Sequence, residues 1–197
     1  MRVGHRAAFE NPVGVRGARP AYDIIVEMAA PRTLIAVEEY LHTAYRPDCD
    51  FVDGIIEERN VGEKDHAKLQ QEILFYLRER RREWNIFVIQ ELRVRVSATR
   101  YRIPDICVVA GPEPDEQVFT SPPFLCIEVL SPEDRMSRMQ KRIDDYLSFG
   151  VRYVWVVDPQ TGRAWIYTAE GIREVRDGML RTEGPEIVVP LAEVLGR

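Results

Sequence analysis

The chain has 197 residues, is 45% apolar and 30% charged, and carries a formal net charge of -5. That length fits one domain plus an appendage, and the apolar share with interspersed charge of both signs argues against a wholly disordered chain. Net negative charge argues against a histone-like binder that holds DNA by bulk electrostatics, yet leaves room for an enzyme with a local basic face beside an acidic metal site.

Three cysteines, Cys49, Cys107 and Cys126, lack CxxC spacing, which argues against a disulfide scaffold or a cysteine zinc site. Cys107 and Cys126 lie in apolar runs and read as buried hydrophobes in a reducing compartment. No stretch reaches the ~20 apolar residues of a membrane span. The N-terminus has no apolar signal core, so the expected location is cytoplasmic.

Residues 1–30 hold Pro12, Gly14, Gly17 and Pro20 with little periodicity, and are expected to form a flexible tail. Residues 31–197 are expected to form a single domain, with Met28 a candidate start codon beside Met1. Thr33 to Leu41 reads as a short helix. Phe51-Val52-Asp53-Gly54-Ile55-Ile56 reads as a tight hairpin, since Asp-Gly suits a turn with positive φ. Asn60 and Glu63 have capping-box-like spacing, ahead of a helix from Glu63 to Trp84 with Leu69, Ile73, Tyr76, Leu77 and Trp84 near one stripe.

Strands follow at Ile86–Ile89 and Leu92–Val96, the second alternating apolar residues with Arg93 and Arg95. Ile103–Val109 and Phe124–Leu130 are nearly continuous apolar runs, as central strands are. Met136–Phe149 reads as a helix closed by Gly150 at C′. Val151–Val157 is a further apolar strand, and Ala164–Tyr167 pairs back on it. The remainder reads as edge hairpins and a last helix near Leu191–Leu195. The predicted fold is α/β (α+β), a mixed sheet flanked by helices.

Two carboxylates stand out. Asp105 follows Pro104 at the start of an apolar strand, and Glu128 lies inside Phe124-Leu125-Cys126-Ile127-Glu128-Val129-Leu130. A lone carboxylate buried in a sheet is costly unless a cation or strong donors compensate. Two of them on neighbouring strands could share one hard divalent ion, Mg2+ or Mn2+, with the Val129 backbone carbonyl as a further oxygen ligand. Each acid alone has a structural reading as well: a turn residue after Pro, or a strand Glu facing solvent.

The runs Pro104-Asp105, Ile127-Glu128-Val129-Leu130-Ser131-Pro132, Tyr146, Gly150-Val151 and Tyr153-Val154-Trp155-Val156-Val157-Asp158-Pro159 resemble the Uma2 (DUF820) family. Val37-Glu38-Glu39-Tyr40-Leu41 and Asp53-Gly54 match that family's N-terminal part. The resemblance implies a restriction-endonuclease-like core of the PD-(D/E)XK class and Mg2+-dependent action on DNA. The chain departs from the wider pattern two residues after Glu128, where Leu130 replaces the usual Lys. The resemblance implies a substitute four residues before Tyr146, and that residue is Arg142.

Helical arithmetic separates Arg142 from Lys141. Met139, Ile143, Tyr146 and Leu147 make the buried stripe. Arg142 flanks it, whereas Lys141 points almost opposite and is expected to pair with Asp145 at i+4. Arg142 also reads as a plain surface charge beside the core. His66, near the start of the long helix, and Glu58, at the end of the first hairpin, are weaker candidates for phosphate or metal contact. Both have structural readings, and Glu72 is expected on a solvated helix face.

Arginines cluster at 78, 80, 81 and 82, at 93, 95, 100 and 102, and, with Lys141, at 135, 138 and 142. Two converging clusters would make a phosphate-tracking groove. The expected function is a metal-dependent endonuclease acting on DNA, with Asp105, Glu128 and Arg142 as catalytic residues, working as a homodimer without membrane association. The alternative is a catalytically impaired nuclease fold that binds nucleic acid or a protein partner.

Overall fold

The computed structural model describes residues 33–59 and 63–196. The expected N-terminal tail and Asn60 of the capping box lie outside the described residues. Glu63 is the N-cap of the long helix but makes no side-chain cap bond.

The chain opens with a one-and-a-half-turn helix α1 (Val37–His42) and a hairpin of β1 (Cys49–Val52) and β2 (Ile55–Glu58). Asp53 (φ 50°) and Gly54 (φ 87°) both take positive φ at its turn, which is the reason for the Asp-Gly pair. Helix α2 (Lys64–Glu79) follows, and then β3 (Ile86–Gln90), β4 (Val94–Ser97), β5 (Arg100–Arg102), β6 (Ile106–Ala110) and β7 (Leu125–Val129). Helix α3 (Met136–Phe149) leads to β8 (Tyr153–Val157), β9 (Ala164–Thr168), β10 (Gly171–Glu174), β11 (Met179–Arg181), β12 (Val188–Pro190) and α4 (Leu191–Leu195).

Among the described residues the strands form three sheets. The large one has the order β10-β9-β8-β7-β6-β3, and a smaller one has the order β2-β1-β5-β4. A separate hairpin pairs β11 with β12. In the large sheet only β7 and β8 run parallel. Parallel neighbours need a crossover, and α3 supplies it.

Alternation along β6 and β7 divides the core. Ile106, Val108, Leu125 and Ile127 pack with Leu69, Ile73, Leu74 and Leu77 of α2. Cys107 and Cys126 pack with Met139, Ile143 and Tyr146 of α3. Gly150 caps α3 at φ 109° as the C′ residue.

The predicted strand Ile103–Val109 is shorter: residues 103–105 lie in no strand, and they link β5, which ends at Arg102 in the small sheet, to β6, which begins at Ile106 in the large one. Pro104 has no N–H to give to a ladder. The predicted strand Leu92–Val96 likewise starts at Val94 and pairs with β5 in the small sheet. Helix α2 stops at Glu79 rather than Trp84, yet Trp84 still packs near Tyr76, with ring centroids 6.3 Å apart.

Candidate active site

The break at Pro104 sets the position of Asp105. Ile106 pairs with Ile127, so the next antiparallel step outward brings Asp105 beside Glu128, with both side chains on one face of the sheet. Each residue is 1% exposed. They line one cavity of ≈ 20 Å³ together with Arg59, His66, Val129 and Arg142, room for about one water or small ion.

Asp105 is held from three sides. The Val129 main-chain N–H donates to its Oδ2 at 2.7 Å. His66 Nε2 lies 3.3 Å from the same oxygen. Arg59, which directly follows β2, forms an ion pair with Oδ1 through Nη2. Burial pushes the Asp105 pKa up, but the His66 bond and the Arg59 charge outweigh it and hold the carboxyl down at about 2. Asp105 in turn raises the pKa of His66, against the opposing effect of burial.

Glu128 is held differently. Tyr146 donates its hydroxyl to Oε1 at 2.7 Å, and Arg142 Nη2 reaches the same oxygen at 2.9 Å. Burial raises the Glu128 pKa, Arg142 lowers it, and Asp105 raises it again, leaving the carboxyl at about 7. Arg142 is itself anchored to the carbonyl of Ile103 at 2.9 Å. Neighbouring carboxylates outweigh its burial and keep it protonated.

The donor set suits a hard cation: two carboxylates and, at Val129, a main-chain carbonyl, all oxygen. Among the described residues no group of three or more His, Cys, Asp and Glu side chains is arranged as a metal cluster. Such a site would therefore leave several positions to water, as Mg2+ favours. Burial is outweighed at Asp105 but not at Glu128, where Arg142 leaves the carboxyl raised. These residues fit Mg2+ or Mn2+.

Residues 37–192 match the profile of the Uma2 family, described as "Putative restriction endonuclease". The chain belongs to the Uma2 family. A solved structure titled "Crystal structure of a putative nuclease belonging to DUF820 from Anabaena variabilis ATCC 29413" shares the fold of this Uma2 chain, with a TM-score of 0.72. The match covers 82% of this chain and 98% of that one at 19% identity. No curated protein matches the chain.

The Uma2 site gathers Asp105, Glu128, Val129, Arg142 and His66, and excludes two residues marked in the sequence. Lys141 is exposed and does not pair with Asp145, which is bound by Arg100 at 2.9 Å and by Arg102 at 2.7 Å. Glu58 is exposed and lines a neighbouring cavity of ≈ 30 Å³ with Asp50, Arg138 and Arg142, among others. Its main-chain carbonyl accepts from Arg138 at 3.2 Å.

Three of the four arginines of the middle cluster are engaged within the fold, while Arg95 is exposed. Arg93 donates to the carbonyls of Leu41 and Thr43 and lies over the Tyr40 ring, and Arg100 and Arg102 are bound by carboxylates. Sequence reasoning missed Arg59 and Asp50. Asp50 carries the same signal as Glu128, an acid inside the apolar strand Cys49-Asp50-Phe51-Val52. Arg59 carries no such signal, because its place depends on a partner 46 residues away.

Proposed function

We propose that this Uma2 chain is a metal-dependent endonuclease that hydrolyses DNA phosphodiester bonds. The observation that carries the reading is the pairing of Asp105 and Glu128, both buried, side by side on one cavity with a protonated arginine against Glu128. Asp105, Glu128 and the Val129 carbonyl would hold Mg2+ or Mn2+, which when bound polarises a phosphate oxygen and acidifies a water.

The protein's own groups have separate tasks. The Val129 N–H and the Tyr146 hydroxyl fix the two carboxylates in place. Arg142, permanently charged, offsets charge building up on the phosphate but is a poor general base. Leu130, where the wider class has Lys, contributes no charge. Three free, buried thiols fit the reducing cytoplasm. By analogy with nucleases of this fold that pair to cut two strands, the chain would work as a homodimer.

The test is incubation of the full chain with single- and double-stranded DNA, with and without Mn2+. Cleavage should require Mn2+ and be lost in Asp105→Ala and Glu128→Ala. Cleavage that survives Asp105→Ala ends the assignment.

A second reading has one observation in its favour: each carboxylate already faces a guanidinium, Asp105 with Arg59 and Glu128 with Arg142. On that reading the fold has lost catalysis and only binds nucleic acid or a protein partner. Absence of any Glu128-dependent Mn2+ binding would favour it.

A further inference from the structure

Three guanidinium groups meet the buried acids of this region, and they are held unequally. Arg102 is 3% exposed. Its Nε and Nη2 reach Asp145 at 2.8 and 2.7 Å, and its Nη1 reaches Asp50 at 3.0 Å and Glu57 at 2.9 Å. Arg142 is tied through Nη2 to Glu128 and to the carbonyl of Ile103, each at 2.9 Å. Arg59 has a single ion-pair partner among the described residues, Asp105. Its Nε is buried without a hydrogen-bond partner, as is that of Arg142. Buried donors left unpaired cost stability, and Arg59 recovers least of that cost through its other nitrogens.

The two oxygens of Asp105 also differ. Oδ2 accepts the Val129 N–H, a donor fixed by the strand that carries it. Oδ1 faces the tip of a long side chain that follows the end of β2. A cation approaching Asp105 therefore finds the exchangeable place already taken by positive charge. Two cations crowded on one oxygen in a low-dielectric cavity repel strongly.

We propose that Arg59 is the placeholder for the metal: its guanidinium occupies the ion's position on Asp105 Oδ1 and must swing away before a divalent ion binds. This rests on the metal-dependent reading above and adds that residue 59 sets the metal affinity of the site. Asp105 is thus never left buried and uncompensated in the metal-free protein, and the cost of displacing Arg59 weakens the metal.

The test is calorimetric titration of Mn2+ into the full chain and its Arg59→Gln and Arg59→Lys variants, without DNA. Arg59→Gln removes the competing charge and should bind Mn2+ at least about tenfold tighter than the parent. Arg59→Lys keeps the charge on a shorter stem without the planar fork, and should fall between the two. Mn2+ should also raise the melting temperature of Arg59→Gln more than that of the parent.

Equal or weaker Mn2+ binding by a folded Arg59→Gln overturns the proposal while leaving the metal site standing. If Arg59→Gln does not fold, Arg59→Lys binding no tighter than the parent overturns it instead. Mn2+ binding by none of the three proteins overturns the metal-dependent reading and this proposal with it.

Discussion

Asp105 and Glu128 line one cavity, and their pKa values move in opposite directions: burial prevails at Glu128, whereas the His66 bond and the Arg59 charge outweigh it at Asp105. Asp105 stays ionised, with its pKa lowered to about 2, so the stability it contributes is present above its unfolded value and is lost as pH falls through about 2. Glu128 is raised from 4.5 to about 7. The stability linked to its proton is fully present below 4.5 and is lost as pH rises through about 7. His66, also raised, adds a loss of the same sign above its ordinary value. The metal-free protein should therefore lose stability from pH 4.5 to 8, by on the order of 3 kcal/mol through Glu128. Glu128→Gln, which has no proton to lose, should flatten most of that slope in urea denaturation at pH 5, 6, 7 and 8; an unchanged slope would place the titration elsewhere. Both acids were legible in the sequence because a carboxylate inside an apolar strand contradicts its surroundings. Arg142 was legible from helical phase. Arg59 was not, since a residue outside any periodic element reveals its partner only when the chain just after β2 meets the chain just before β6.

The small sheet is joined to α3 by charge. Arg102 on β5 links Asp50 on β1, Glu57 on β2 and Asp145 on α3, and Asp50 also accepts the N–H of Ile103 at 3.0 Å. That bond fixes the backbone just before the Pro104 break, hence the direction in which Asp105 enters the large sheet. Removing one member of a buried ionic network leaves the others uncompensated. Arg102→Ala should cost about 3–5 kcal/mol in urea denaturation, while Arg163→Ala, at an exposed pair with Glu174, should change stability little. An Arg102→Ala effect no larger than that of Arg163→Ala would mean that packing alone holds the small sheet. At this scale α3, α4 and the first hairpin could be read from the sequence, because cap, period and turn residues agreed. That the strand begins at Ile106 and that residues 103–105 cross between sheets could not be read from apolar periodicity, which is blind to which sheet a strand joins; the one sign was Pro104.

For the whole molecule, a net charge of -5 means that the DNA binding of the proposed function would have to come from a local basic patch and not from the total field. The structure narrows that patch, since Arg93, Arg100 and Arg102 are engaged within the fold. Arg138 differs: it is exposed on α3 and lines the cavity next to the carboxylates, and its Nη2 contact is a single bond to the Glu58 carbonyl. A phosphate chain passing over Glu128 would meet Arg138 as an exposed cation at the edge of the neighbouring cavity. Each phosphate contact contributes about 0.9 to the slope of log K against log salt. DNA retention measured without divalent metal should therefore show a shallow slope, and Arg138→Ala should lower it by about 0.9. Arg176, 86% exposed beyond the β10 edge strand, serves as the control, and Arg176→Ala should leave the slope unchanged. Equal loss in the two variants would mean that DNA is held by diffuse charge, and no loss in either would route the strand away from α3.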